Sequence, residues 1–226
     1  MKHLHLALAL GTLVTVSAMT GLWTRAAAVR LHQSVGTAPE ADTASAANEG
    51  YCTGNLKTIL RRVLTSCGLV QGSGRGCQPL QARQVASMSG GDFNALFSPL
   101  AGRAAIIQFD QDKADLDASA MSLLETTFAD QRGASYFLVV SRASPEGSTE
   151  HNRDLSRRRA ETVLEHLKAK FNDPDLDQEV GLLWLGEEFA QLSKAYCEWK
   201  HSRSDTTCTP ADLNRSAFIA WIDCRL

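Results

Sequence analysis

The sequence lacks the charge pattern of a nucleic-acid-binding protein. Its 23 Lys and Arg residues stand against 25 Asp and Glu, which gives a formal net charge of −2. Residues 1–28 contain Lys2 and Arg25 but no acid, so the rest of the chain has 21 basic and 25 acidic residues. Because binding to a phosphate backbone needs clustered basic charge, we expect no nucleic-acid partner.

Motifs for catalysis and for metal binding are also missing. The chain has no G-x-S-x-G, no H-E-x-x-H and no phosphate-binding P-loop. It has no C-x-x-C, and no pair of histidines at ligand spacing accompanies its cysteines. We therefore expect no enzyme, no metal site and no cofactor.

One long apolar run is present, at the N-terminus. A short positive start at Met1–His3 precedes the almost wholly apolar stretch 4–23, and the small residues Ala26–Ala28 follow. This order is typical of a signal peptide over residues 1–28, although about 20 apolar residues can also span a bilayer as an uncleaved anchor. No cysteine directly follows the run to carry a lipid. Either way we expect the body in the periplasm or cell envelope, in contact with a membrane only through residues 4–23 if the segment stays uncleaved.

Cysteine usage fits an exported chain. An even number of cysteines indicates disulfides there, because the periplasm is oxidising. Spacing suggests one pair across a short polar loop and one across a Gly-rich turn, with the remaining two joining the start of the body to its end, but other pairings stay open. In that order the pairs are Cys197 with Cys208, Cys67 with Cys77, and Cys52 with Cys224.

Two segments precede the main body. Residues 29–50 are rich in small and polar residues without apolar periodicity, which predicts a flexible linker. Residues 51–102 form a cysteine-containing segment with helices predicted over 56–67 and around 92–100. The first of these helices has a basic face, which we interpret as solvated.

From residue 103 onward, strand-like runs alternate with helical spacing. Strands are predicted at 104–109, 136–140, 180–185 and 217–222, and helices over 116–128 and 155–171. A polar insertion at about 187–213 separates the last two strands. The order βαβαβ–insertion–β predicts an α/β two-layer sandwich, with two helices on one mixed sheet and the small helical segment before it.

Two stretches of residues 103–226 resemble the family of OmpA-like domains. Phe109–Leu116 resembles the F-D-x-D-x-x-x-L junction that opens those domains. Ser141–Ala160 resembles the family signature G-H-T-D-x-x-G-x-x-x-x-N-x-x-L-S-x-x-R-A without a gap. Leu185–Glu187 and Asn214–Arg215 resemble its later Y-G-E and N-R elements more loosely. The signature is matched at Gly147, Asn152, Leu155, Ser156, Arg159 and Ala160.

This resemblance, to the type found in the OmpA C-terminus, MotB and Pal, implies non-covalent binding of peptidoglycan. In that family an aspartate pairs with the ammonium group of stem-peptide diaminopimelate, and an arginine binds its carboxylate, which anchors an envelope protein or complex to the wall. Here the arginine is Arg159, but Ser144 stands at the aspartate position and Arg142 adds a positive charge. Glu146 substitutes for the missing acid if the loop bends differently. The tentative ligand set is Arg142, Ser144, Glu146, Asn152 and Arg159.

Other interpretations remain open. A degenerate OmpA-like domain can serve as a periplasmic scaffold for other envelope proteins without binding peptidoglycan. Arg159 also has a structural interpretation, as a helix-surface residue paired with Glu150 or Asp154. Asp110 and Asp112 are expected in a solvated turn, with an aspartate that caps the next helix.

Overall fold

The computed structural model describes residues 50–68, 76–129, 136–172 and 176–224. The predicted signal peptide at 1–28 and nearly all of the predicted linker at 29–50 lie outside the described residues. Within the described ranges, no helix combines the length and the apolar character needed to cross a bilayer.

A four-stranded mixed sheet forms the centre of the fold. Its strands lie in the order β1-β4-β2-β3. β4 runs antiparallel to both of its neighbours, and β2 and β3 are parallel. Their side chains are buried on both faces of the sheet, which is why the strands appear in the sequence as short apolar runs. The strands are β1 (Ala104–Gln108), β2 (Tyr136–Ser141), β3 (Val180–Trp184) and β4 (Ser216–Ile222).

Helices occupy the segments before and between the strands. The predicted order βαβαβ–β is confirmed, and each strand agrees with its prediction to within one residue at either end. The α-helices are α1 (Gly54–Ser66), α2 (Pro79–Ala86), α3 (Gly90–Ala95), α4 (Ala118–Ala129), α5 (Thr149–Phe171), α6 (Leu176–Glu179) and α7 (Pro210–Asn214). 3-10 helices lie at Ser98–Arg103 and Lys194–Glu198.

Two helices, α4 and α5, cover one face of the sheet, as the sequence predicts. Ala120, Leu124 and Phe128 of α4 share a core with the side chains of Val163 and Leu167 from α5 and with that face of the sheet. The cap of α4 differs from the expectation. The Asp117 carboxylate accepts the Ala120 N–H at 2.8 Å, so neither Asp110 nor Asp112 caps the helix. The two helices thus form the layer that the α/β class requires.

The cysteine-containing segment forms a third layer on the opposite face of the sheet. On this face, side chains of β2 and β4 share a core with α1 and α3. The helices contribute Leu56, Leu60 and Leu64 from α1 and Phe93 from α3. The short helix α2 was not predicted. Its start carries a capping box between Gln78 and Gln81, followed by a proline in the first turn.

Three disulfides are present, in the pairs that the spacing suggested. They connect Cys52 with Cys224, Cys67 with Cys77, and Cys197 with Cys208. Only the first of them links the third layer to the end of the sheet.

Around the first pair, Tyr51 donates a hydrogen bond from its hydroxyl to the Asp223 carboxylate and accepts the Asp223 N–H at 3.0 Å. The Arg103 guanidinium stacks between the rings of Tyr51 and Trp221, at 4.1 and 3.9 Å from their centroids. The start of the third layer is therefore fixed to the end of β4.

The polar insertion covers the outer edge of β1. Ile106 N–H donates to Lys200 O at 2.8 Å, and Ser202 N–H donates to Ile106 O at 3.0 Å. Arg203 then reaches the loop after β1, where its guanidinium pairs with Asp110 at 2.9 Å and Asp117 at 2.7 Å. The insertion thus shields an exposed strand edge and braces the loop that follows it.

Candidate functional site

A cleft of about 250 Å³ lies where the loop after β1, the loop after β2 and the first turns of α5 meet. Both stretches that carry the family resemblance supply its walls. The lining residues are Gln111, Asp112, Ser144, Glu146, Gly147, His151, Asn152, Leu155 and Arg159.

Arg159 projects from the third turn of α5 towards the cleft and is completely buried. Its guanidinium donates to three backbone carbonyls: from Nε to Lys113 O at 2.9 Å, and from the two terminal nitrogens to Arg142 O at 2.9 Å and Asp110 O at 3.1 Å. The guanidinium carbon lies 5.2 Å from the ring centroid of Phe109. These contacts fix the plane of the guanidinium between the two loops.

Arg159 forms no direct ion pair with a carboxylate among the described residues, and its three hydrogen-bond acceptors are neutral carbonyls. The charge of Asp112 acts on it only from a greater distance. Burial lowers the pKa of Arg159 to about 10, and the positive charges of Arg215 and Arg158 act in the same direction. The group stays cationic at neutral pH. A buried cation without a counter-ion is costly, and an anion that entered the cleft would relieve that cost.

The alternative interpretation of Arg159 as a helix-surface residue is wrong. Asp154 pairs instead with Arg157 at 2.6 Å and with Arg158 at 2.9 Å. The exposed Asp154 therefore binds the exposed Arg157 and Arg158, and the buried Arg159 faces the cleft.

The N-terminus of α5 is anchored against the cleft by a polar network. The Ser148 hydroxyl caps the helix by accepting the His151 N–H at 3.2 Å. Thr149 donates its hydroxyl to the Glu187 carboxylate at 2.7 Å, and Asn152 donates its amide to the same carboxylate and to Glu146 O. Just before the cap, Gly147 has φ of +103°, a conformation that other residues rarely adopt. The matched glycine and asparagine therefore shape the loop that forms one wall.

Ser144 stands at the position of the family's aspartate. Its hydroxyl accepts a hydrogen bond from Arg215 Nε at 3.2 Å, and the residue is largely buried. The other side of the Arg215 guanidinium approaches Glu146 at 3.6 Å and Asp212 at 3.7 Å. A second arginine thus lies directly behind the wall, where the resemblance implied a negative charge.

The rim of the cleft carries an acid–histidine pair. His151 Nε2 lies 2.5 Å from Asp112 Oδ1, and both side chains are substantially exposed. Asp112 has φ of +58°, so its backbone is held in a left-handed turn at the cleft's edge. The pair links the loop after β1 to the first turn of α5.

Four of the five predicted ligand residues come together in the cleft: Ser144, Glu146, Asn152 and Arg159. Arg142 does not. Its side chain enters the third-layer core, where it is fully buried and donates to Ala190 O at 2.7 Å, to Val140 O at 3.3 Å and to Asn94 Oδ1 at 2.8 Å. Only its backbone carbonyl faces Arg159.

Several cleft residues escaped the sequence reasoning. Asp112 was expected in a solvated turn, and neither Gln111 nor His151 was singled out. The signal for these residues was their position inside the two motif stretches. Gln111 and Asp112 lie just after Phe109, and His151 directly precedes Asn152. Arg215 lay in a recognised N-R element, but nothing in the sequence shows that its side chain touches Ser144.

Comparison with known proteins finds similarity at the level of solved structures. The OmpA-like domain of FopA1 from Francisella tularensis matches with a TM-score of 0.39 and 19% identity, over 50% of this chain and 68% of that one. The peptidoglycan-associated lipoprotein from Burkholderia pseudomallei matches with a TM-score of 0.37 and 20% identity, over 55% of this chain and 92% of that one. No family model and no curated protein matches the chain.

Proposed function

We propose that the cleft binds the carboxylate of a peptidoglycan stem peptide and so anchors an exported envelope protein non-covalently to the cell wall. The observation that carries the proposal is the buried guanidinium of Arg159, which lines an open cleft and has only neutral hydrogen-bond partners among the described residues.

The geometry suits a carboxylate. An arginine has five N–H donors, and three of those of Arg159 are taken by backbone carbonyls. The carbonyls hold the planar group in place before any ligand arrives, which reduces the entropy lost on binding. The remaining donors can bind a carboxylate with charge-assisted hydrogen bonds.

The surroundings support a location outside the cytoplasm. All six cysteines pair in three disulfides, and disulfides persist in oxidising compartments. Arg159, Asn152 and Gly147 occupy the family positions in the motif, and all three line the same cleft. The envelope and its wall are therefore where the function is best sought.

A second function, a scaffold for other envelope proteins, is favoured by one observation. Ser144 is neutral where peptidoglycan binders of this family carry an acid, and the loss of one charge-assisted contact costs about 1.5–3 kcal/mol. In that case the third layer of α1–α3 would supply the binding surface and the cleft would be vestigial.

Co-sedimentation with diaminopimelate-type sacculi at low salt tests the proposal. We expect the wild type to pellet, Arg159→Ala to stay in the supernatant, and Arg158→Ala, which removes an exposed arginine next to it, to pellet as the wild type does. Since Arg159→Ala also removes packing, Gln111→Trp provides a second test that blocks the rim and leaves the guanidinium in place.

Thermal melts confirm that each variant is folded. A wild type that stays in the supernatant overturns the wall-binding function. An envelope partner that co-purifies equally well with wild type and with Arg159→Ala would then favour the scaffold.

A further inference from the structure

The side chain of Arg142 lies in the core of the third layer, although the residue belongs to the motif stretch Ser141–Ala160. It is fully buried, and its guanidinium donates to Ala190 O at 2.7 Å, to Val140 O at 3.3 Å and to Asn94 Oδ1 at 2.8 Å. All three acceptors are neutral. A buried cation held in this way is a weak source of stability, because the loss of its hydration offsets the gain from its contacts. Stability alone therefore does not account for an arginine at this position.

The backbone of Arg142 takes part in the cleft. Its carbonyl accepts a hydrogen bond from a terminal nitrogen of Arg159 at 2.9 Å and is one of the three carbonyls that hold that guanidinium. Its N–H donates to Ser216 O at 2.9 Å, which fixes the residue to β4. The side chain extends towards α3 of the third layer and the carbonyl towards α5 on the other face of the sheet. A single residue therefore connects the third layer with the cleft.

Asn94 of α3 is the partner that joins these groups to the insertion. Its Oδ1 accepts from Arg142, and its Nδ2 donates to Ala190 O and Gln191 O at 2.9 Å each. Gln191 in turn donates from Nε2 to Ala143 O at 3.2 Å, one residue beyond Arg142. The network thus holds the loop after β2 at two consecutive residues, and both connections lead back to Asn94.

We propose that Arg142 is a positioning residue of the cleft rather than one of its ligands, and that with Asn94 it sets the carbonyl that orients the Arg159 guanidinium. The inference deepens the proposed function and rests on it, because this orientation matters for affinity only if the cleft binds a carboxylate. A planar guanidinium that is fixed before the ligand arrives loses less entropy on binding. When the third layer no longer holds Arg142, its carbonyl and Arg159 move more freely, and the cleft binds more weakly.

Two variants separate positioning from stability. Asn94→Leu with Arg142→Met replaces both partners by apolar side chains of similar size, so the network is lost while the core stays filled. Leu60→Ala is the matched control, because it opens a cavity in the same layer at a buried residue of α1 outside this network. Denaturant unfolding should show the control to be the less stable of the two. Positioning and stability therefore predict opposite orders of effect on the cleft.

Binding to sacculi is the first measurement. Diaminopimelate-type sacculi are titrated against each full-length protein at low salt and at a temperature where thermal melts show all of them to be folded. We expect the double variant to bind about tenfold more weakly than the wild type, because its guanidinium is no longer fixed in advance. Leu60→Ala should bind as the wild type does.

Hydrogen exchange of the Arg159 Nε–H is the second measurement, and it needs no ligand. This proton donates to Lys113 O at 2.9 Å, so it should exchange slowly in the wild type. We expect exchange about tenfold faster in the double variant and unchanged in Leu60→Ala. NMR of the full chain labelled with heavy nitrogen in its arginines follows the signal, which is assigned by its absence in Arg159→Lys.

The outcomes separate this inference from the proposed function. A double variant that binds sacculi as the wild type does overturns the inference and leaves wall binding standing. An equal or larger effect of Leu60→Ala on either measurement also overturns it, since the effect would then come from stability alone. If the wild type itself stays in the supernatant, the wall-binding function falls, and the exchange rate of the Arg159 proton alone decides whether Arg142 positions that guanidinium.

Discussion

The disulfide between Cys52 and Cys224 is expected to contribute more to stability than either of the others. It joins residues 172 positions apart, whereas the Cys67–Cys77 and Cys197–Cys208 bonds join residues 10 and 11 apart. A cross-link stabilises mainly by restricting the unfolded chain, and this effect grows with the logarithm of the loop length. Loops of these lengths correspond to about 5 kcal/mol for the long one and about 3 kcal/mol for each short one.

Denaturant unfolding of two double variants measures the difference. Cys52→Ala with Cys224→Ala should lower the free energy of unfolding by about 2 kcal/mol more than Cys197→Ala with Cys208→Ala does. The second variant is the matched control, because both of its cysteines are partly exposed and their loss leaves little cavity. Peptide mapping without reduction shows that the other two bonds are intact.

Native contacts also hold the junction around Cys52 and Cys224. Tyr51 and Arg103 hold the same junction through Asp223, so native contacts resist its opening even without the bond. If the control variant proves equally or more destabilised, loop entropy is not the main source of stabilisation, and local packing around the shorter bonds takes its place.

Two further predictions concern buried polar groups. Burial, together with the hydrogen bond to Asp223, raises the pKa of Tyr51 to about 12 from 10.0, and burial raises the pKa of the other two tyrosines as well. The stability that Tyr51 contributes is therefore complete below pH 10 and is lost as the pH rises through about 12. Ultraviolet titration of the folded protein should show no tyrosine that ionises at the ordinary pKa of 10.0. Asn94→Ala leaves the buried Arg142 guanidinium without its side-chain partner, so the free energy of unfolding in urea should fall by about 3 kcal/mol. The control Asn55→Ala, at an exposed position of α1, should leave that free energy unchanged.

Much of the α/β body was predictable because its signals are local. Strands buried on both faces appear as short apolar runs, and the long helix α5 shows one apolar stripe. The start of α4 was harder to predict. The apolar spacing begins at Leu116, but the cap that decides the boundary is Asp117, and cap choice depends on a hydrogen bond that the pattern does not contain.

The third layer could not be placed from the sequence. The periodicity of α1 predicted an apolar face but not which surface it covers, because that depends on contacts between distant parts of the chain. The disulfide between Cys52 and Cys224 carries this long-range information. With several pairings open, it was only one possibility among them.

The position of the Arg142 side chain shows the limit of a residue-by-residue comparison with a motif. Arg142 directly follows Ser141, the last residue of β2, and lies two positions before Ser144.

 Val140, two positions before Arg142, points into the third-layer core, and Arg142 continues this alternation, so its side chain enters the same core. A motif match gives the position of a residue along the chain, but the direction of its side chain depends on the layers that pack around it.

The same residue shows how the third layer bears on the cleft. The guanidinium of Arg142 is held in the core by Asn94 of α3 and by the Ala190 carbonyl of the insertion, while its own carbonyl accepts from Arg159 at 2.9 Å. Its N–H donates to Ser216 O at 2.9 Å, so the loop after β2 is fixed from both sides of the sheet. The position of the Arg159 guanidinium therefore depends on α3 and on the insertion, neither of which lines the cleft. A segment that is not part of the family resemblance thus helps to set the geometry of the site that the resemblance identified.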